Sequence, residues 1–241
     1  RFVTIGYGEP VEVVPGVSVL FRDAGHIIGS SMVEVRELSS GRRLLFSGDI
    51  GRPHPSLLQP PAVWKETDYL CVESTYGNRI HGDQEVIRET LRRIISETAA
   101  AGGNIVIPTF AVERAQELLY HLDGLVGENL IPRIPVYMDS PMAINVTEVY
   151  ENYPAYLNET IQDAMRRGDS PFAFPRLSFV RTADESKRLG EQDGSCLILA
   201  GSGMCTGGRI KHHLLANISS PESSVLFVGY QARGTLGREI L

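Results

Sequence analysis

The sequence predicts an α/β protein in two regions: a β-rich first part, then a part built on a mostly parallel sheet flanked by helices. Three observations lead there. Up to about residue 77, short apolar or alternating runs follow one another with no long helical pattern between them. From about residue 78, strand-like and helix-like runs alternate, the pattern of parallel strands joined by crossover helices. At 241 residues, with 42% hydrophobic and 22% charged side chains, the composition is that of a globular protein with ample material for a buried core.

The elements follow in order. The chain does not begin with Met and opens in the strand-like Phe2-Val3-Thr4-Ile5, which reads as a piece cut from a longer protein. Val17 to Phe21 is a short apolar strand, and Ser31 to Arg36 alternates apolar and polar as a half-buried strand does. Ser40-Gly41-Arg42 turns the chain, Arg43 to Phe46 returns as a strand, and Tyr69 to Val72 reads as another, buried one. Asp83 can cap a helix whose apolar residues Val86, Ile87, Leu91, Ile94 and Ile95 fall at helical spacing, with Gly102-Gly103 ending it. Asn104 to Pro108 is a buried strand, followed by a helix from about Glu113 to Leu122; Pro135 to Met138 is a strand with a helix after Pro141. Residues 154–175 read as an irregular or helical surface excursion. Ser195 to Ala200 is a strand leading through a Gly-rich turn into a helix around Arg209 to Ala216, and Ser224 to Val228 is the last strand.

The three cysteines, Cys71, Cys196 and Cys205, are odd in number and lack CxxC spacing. That argues against a disulfide framework and a thiolate zinc site, and for thiols in a reducing cytoplasm. No apolar run approaches the roughly 20 residues a membrane span needs, and no signal-peptide pattern opens the chain. The net charge of −6 counts mildly against a nucleic-acid binder, although a local basic groove can sit on an acidic protein.

Ligands of α/β sheets bind beyond the carboxyl ends of strands, so the residues there carry the functional reading. His26 lies just after a strand, between Gly25 and Gly29, where an imidazole can be a metal ligand or a satisfied structural group. Asp49 closes the Arg43–Phe46 strand, so its carboxylate is expected near the core, held by a metal or by backbone N–H groups. Glu73 directly follows the next strand and reads as a site carboxylate or a turn cap. Three ionisable residues at strand ends of one β-rich region suggest a site on one rim of a sheet. In the second region, backbone N–H groups of the Gly201–Gly208 loop could hold a phosphate. Arg114 and Arg209 sit near helix starts, where the dipole disfavours a cation, which makes an anionic ligand more plausible. Phe110 either stacks a base at the sheet rim or fills the core. His54, His81, His121, His212 and His213 show no ligand spacing and read as surface or core residues.

These segments together resemble the metallo-β-lactamase/β-CASP nucleases, above all the bacterial and archaeal relatives of the endonuclease subunit of the cleavage-and-polyadenylation factor. The matching pieces run in the family's order: Gly6-Tyr7-Gly8-Glu9-Pro10, Asp23-Ala24-Gly25-His26, Phe46 to Arg52, Glu73-Ser74-Thr75-Tyr76-Gly77, Pro108 to Glu117, Gly203 to Arg209, and Gly234 to Arg238. The resemblance implies part of a metallo-β-lactamase αββα domain over residues 1–77 and a β-CASP domain over residues 78–241. It implies that His26 and Asp49 ligate zinc, Asp49 bridging two ions. It also implies that Glu73 orients a histidine acting as general acid. Single-stranded RNA is the implied partner, and Tyr76, Thr109, Phe110, Arg114, Ser202, Gly203, Thr206, Arg209 and Thr235 the implied contacts. A homodimer is a further expected partner arrangement, which the sequence itself does not fix.

The family's HxHxDH motif would precede Arg1 and its two late histidines would follow Leu241. With His26 and Asp49 alone, this stretch is expected to bind zinc poorly and to cleave nothing by itself. Two other functions remain open: a catalytically inactive homologue that binds RNA or a partner subunit, and a small-molecule hydrolase of the metallo-β-lactamase fold. Retention of His26, Asp49 and Glu73 speaks against the first, and the β-CASP-like half against the second.

Overall fold

Alternation of apolar and polar residues builds the first sheet. A strand presents successive side chains to opposite faces, so Ser31-Met32-Val33-Glu34-Val35 buries Met32 on one of them. In this computed structural model, which describes residues 2–78 and 84–241, the sheet has the order β1-β2-β3-β4-β5. Its strands are β1 (Val11–Val14), β2 (Val17–Asp23), β3 (Ser31–Glu37), β4 (Arg43–Phe46) and β5 (Tyr69–Cys71). Pairing is antiparallel from β1 to β4, and β5 lies parallel to β4 with Phe46 opposite Cys71. The parallel register puts the ends of β4 and β5 side by side. Ala24, Met32 and Leu45 form a small core against Ala62 and Trp64. Residues 155–162 belong to this unit: Leu58 bridges to Leu157, Gln59 Nε2 donates to the Leu157 carbonyl at 2.6 Å, and Asn158 Nδ2 to that of Ser56 at 2.8 Å.

The second unit comprises residues 82–154 and 163–241. Continuous apolar runs such as Ile105-Val106-Ile107 make its strands, as expected where both faces are covered. In chain order its elements are α1 (Gln84–Ala100), β6 (Ile105–Pro108), α2 (Arg114–Gly127), β7 (Val136–Asp139) and α3 (Pro141–Asn152). Then come α4 (Glu159–Arg166), which begins within the first unit's segment, β8 (Leu177–Phe179), α5 (Ala183–Arg188), β9 (Leu197–Ala200), α6 (Ile210–Asn217), β10 (Ser224–Val225) and α7 (Leu236–Ile240). The sheet order is β10-β6-β9-β7-β8, with every pair parallel. Central strands β6 and β9 are fully buried, and each buried Ile or Val contributes about 1.5–3 kcal/mol relative to exposure. One core cluster joins Val106, Ile198, Ala200, Ile210 and Leu214. No helix of the described residues is long and apolar enough to cross a membrane.

Several local expectations need correction. Phe2 to Ile5 forms no strand; the first strand is β1, after the turn at Tyr7-Gly8. The run Tyr69 to Val72 is not buried: it pairs with β4 on one side, and Tyr69, Leu70 and Val72 are all exposed. On α1, Leu91 and Ile95 are buried but Val86 and Ile87 in its first turn are exposed. The last strand pairs only over Ser224–Val225, although the Leu226 amide still bonds the Val106 carbonyl. Residues 154–175 are no mere surface excursion: Leu157, Ile161, Phe172 and Phe174 are buried. Strand β8 and helix α5 went unseen, although Thr182-Ala183-Asp184-Glu185 is a capping box whose two reciprocal bonds are both present. Arg79, His81 and the expected cap Asp83 lie outside the described residues.

At Gly102-Gly103 the reason for the glycines is concrete. Gly102 has φ +82°, and a Cβ on Gly103 would lie 1.9 Å from the Glu222 carbonyl oxygen.

Candidate active site at the strand ends

In the first unit, three loops leave β2, β4 and β5 and carry His26, Asp49 and Glu73. The His26 turn closes on itself. Asp23 Oδ1 accepts from the Gly25 amide at 2.7 Å, and Ser30 Oγ accepts from the amides of His26 (3.2 Å) and Ile27 (3.3 Å). Tyr7 Oη donates to the Ser30 carbonyl at 2.7 Å, which pins the far end of the turn. The Gly51 amide donates to the Ala24 carbonyl at 2.8 Å, joining this turn to the Asp49 loop. That approach excludes any side chain: a Cβ on Gly51 would stand 1.7 Å from the Gly25 carbonyl oxygen.

The result brings His26 Nε2 to 4.0 Å from Asp49 Oδ2. Both side chains are open, at 46% and 73% exposure, so the Asp49 carboxylate stands at the surface rather than near the core as its strand-end position suggested. Asp49 lies beyond the end of β4, in the bend that follows buried Ser47. An imidazole and a carboxylate at this separation are donor types that zinc takes, so the pair fits as part of a zinc site. Among the described residues no group of three or more His, Cys, Asp or Glu converges on a metal position.

Glu73 is tied to the same loop. Its Oε1 accepts from the Ile50 amide at 2.7 Å and its own amide donates to Ser47 Oγ at 3.0 Å. The Ile50 N–H, then the Thr75 hydroxyl, and also the nearby His26, hold its carboxyl below the usual range. Glu73 is therefore an ionised acceptor at neutral pH. Tyr76, half-buried, sits in the turn that follows, where the Gly77 amide bonds the Ser74 carbonyl.

In the second unit the carboxyl ends of β6, β9 and β7 carry the other candidates. Thr109 is buried, with its hydroxyl donating to the Phe110 carbonyl at 3.2 Å. Phe110 is 39% exposed at the rim and its ring lies against Gly203 and Gly229; a Cβ on Gly203 would meet the ring at 2.6 Å. The Gly201–Gly208 loop is folded inward. The amides of Ser202, Cys205 and Ile210 bond within it, and Ser202 Oγ accepts from the Gly207 amide at 3.2 Å. Thr206 is exposed, and its Oγ1 is 3.2 Å from Ser202 Oγ. Gln231 Nε2 donates to the carbonyls of Gly203 (2.9 Å) and Gly229 (3.2 Å), and the Gly237 amide to that of Met204, so the loop is joined to the 229–237 segment. Thr235 caps α7 there, accepting from the Arg238 amide at 3.4 Å. Arg114 is ion-paired with Glu117.

Arg209 has an internal partner that the sequence did not suggest. Its Nη1 donates to Asp139 Oδ1 at 2.6 Å and to the Val180 carbonyl at 3.0 Å, and its Nη2 to the Arg181 carbonyl at 2.8 Å. Asp139 is fully buried and also engages Ser186 Oγ at 2.5 Å and His213 Nε2 at 2.6 Å. Burial alone would raise its carboxyl, but the bonds from His213, Ser186 and Arg209 outweigh it and hold the pKa below the ordinary value. Sequence reasoning gave Asp139 and Ser186 no partner, and His213, read as a surface or core histidine, is a buried one. A carboxylate closing the buried run Val136-Tyr137-Met138 was the available signal, since such a group needs partners. All three cysteines are free thiols; burial pushes that of Cys196 up to about 11.

Comparison with known proteins shows the family. The Beta-Casp domain family matches residues 115–240. The chain is 41% identical over 236 residues to Ribonuclease TTHA0252 of Thermus thermophilus, covering 98% of this chain and 53% of that protein. It is 33% identical to the transcription termination factor FttA of Methanocaldococcus jannaschii, with 99% and 38% covered. It is also 33% identical to the RNase J-like protein of that organism, with 98% and 54% covered. The chain thus spans about half or less of the length of these curated relatives. A parallel sheet flanked by helices, a family match over about half of the chain, and relatives aligned along nearly the whole sequence lead to one conclusion: the chain belongs to the β-CASP family, with the metallo-β-lactamase/β-CASP fold.

Proposed function

We propose that the full-length protein is a zinc-dependent ribonuclease that hydrolyses phosphodiester bonds of single-stranded RNA. The observation that carries this reading is the meeting of His26, Asp49 and Glu73 on one sheet rim, with His26 and Asp49 4.0 Å apart and Glu73 hydrogen-bonded into the Asp49 loop. Relatives named as ribonucleases support the reaction class. His26 and Asp49 would hold the metal. When bound, zinc supplies Lewis acidity at neutral pH.

The chain's own residues do the rest. Glu73, kept ionised, is an acceptor that can fix the donor of a proton to the leaving oxygen. The Phe110 ring, half-open over two glycines, offers a face on which a base can stack, a contact worth about 1–3 kcal/mol. Ser202 and the exposed Thr206, in the loop that carries Gly203, present hydroxyls that suit phosphate oxygens.

The test is cleavage of an unstructured RNA by full-length protein stripped with chelator and reloaded with zinc. Cleavage that returns with zinc and is lost in Asp49→Asn supports the proposal. Cleavage at an undiminished rate in Asp49→Asn, or without any metal, overturns it.

A further inference from the structure

The proposed reaction gives no role to Ser47. This side chain is 3% exposed, in a region where its neighbours Phe46 and Asp49 are open. Its hydroxyl is used in both senses: it donates to the Gly48 carbonyl at 2.6 Å and accepts from the Glu73 amide at 3.0 Å. Its own amide donates to the Cys71 carbonyl at 2.9 Å, continuing the β4–β5 ladder by one residue. Glu73 then returns across the gap, its Oε1 taking the Ile50 amide at 2.7 Å. The loop Ser47-Gly48-Asp49-Ile50 is thus held at both ends by Glu73, once through its backbone and once through its side chain. Gly48, at φ +56°, makes the tight bend between them.

We propose that Ser47 is a positioning residue: with Glu73 it forms a clamp that fixes the pose of Asp49, so that Glu73 sets a metal-ligand carboxylate in addition to any role toward a proton donor. The consequence for metal binding rests on the function proposed above; the clamp itself does not. The chemistry is that of preorganisation. Asp49 is 73% exposed, and the bond at each end of its short loop removes freedom that a bare surface carboxylate would have to lose on binding a cation. A hydroxyl is required because only it can donate to Gly48 and accept from Glu73 at the same atom.

The experiment reads backbone amide hydrogen exchange in the metal-free full chain, with thermal melting as a control for folding. The diagnostic amide is Ile50, which Ser47 does not touch. In Ser47→Ala it is expected to exchange about tenfold faster, the equivalent of one lost hydrogen bond, while Ser47→Thr, which restores the hydroxyl, stays within about twofold of the original. Glu73→Gln, which keeps an acceptor oxygen, should also hold Ile50, and Glu73→Ala should release it. An unchanged Ile50 rate in Ser47→Ala, or failure of Ser47→Thr to restore it, overturns the clamp. So does release of Ile50 in Glu73→Gln. If Ser47→Ala does not fold, the Glu73 pair decides alone. Cobalt(II) affinity in the same variants reads the consequence: weaker binding in Ser47→Ala, regained in Ser47→Thr, supports it. Unchanged affinity with a released Ile50 overturns the metal-ligand part alone.

Discussion

Asp49 and Asp139 occupy the same topological place in two different sheets, the carboxyl end of a strand, and come to opposite fates. Asp49 is 73% exposed, with His26 4.0 Å away, and its surroundings hold the loop rather than the carboxylate. Asp139 is fully buried and its two oxygens are engaged by Arg209, Ser186 and His213. A buried charge must be satisfied from within, so Asp139 joins β7, α5 and α6 and serves the fold. An open one is left able to take a ligand. The difference lies in what each closes: Asp139 is itself the last residue of the mostly buried strand Val136–Asp139, whereas Asp49 stands three residues beyond the end of β4, past buried Ser47 and in an exposed bend.

The contrast can be broken by exchanging what each site loses. Asp139→Ala leaves Arg209 and His213 facing each other without their shared carboxylate, and is expected to destabilise the second unit by about 3–5 kcal/mol, read from urea unfolding. A loss below about 1 kcal/mol would show that the cluster is not the brace described. A smaller effect comes through pH. The folded pKa of Asp139 lies below its ordinary value of 3.8, so its contribution is present above that value and fades as pH falls through the lower, folded one. The melting temperature should therefore fall more steeply with acid in the original protein than in Asp139→Asn; parallel curves would contradict this. The smallest stability effect belongs to Asp49→Asn, expected within about 0.5 kcal/mol of the original because the carboxylate braces nothing. A larger loss would move Asp49 into the structural class with Asp139.

How much of this was legible in the sequence depends on whether the signal was local. Ile105-Val106-Ile107 and Leu197-Ile198-Leu199 announced buried strands because burial on both faces writes itself as an unbroken apolar run. His26, Asp49 and Glu73 stood out because each follows a strand. Tyr69-Leu70-Cys71 deceived for the same reason: an apolar run does not say how many neighbours the strand has, and β5 pairs on one side. The Asp139 cluster was hidden because its members are 47, 70 and 74 residues apart, and only the sheet order β9-β7-β8 assembles them. Ser47 was overlooked for a related reason, since a serine before a glycine reads as turn chemistry until the parallel register of β4 and β5 puts it beside Glu73.

The one-sided pairing of β5 bears on how this 241-residue stretch must be handled. Within the described residues its outer edge, with Tyr69 and Leu70 exposed, offers backbone donors and acceptors in register for a strand from another molecule. Edge-to-edge growth of this kind depends steeply on concentration and leaves each molecule's own fold intact. Light scattering during concentration would therefore reveal it before any loss of ellipticity, and a lysine substituted into that edge should delay its onset.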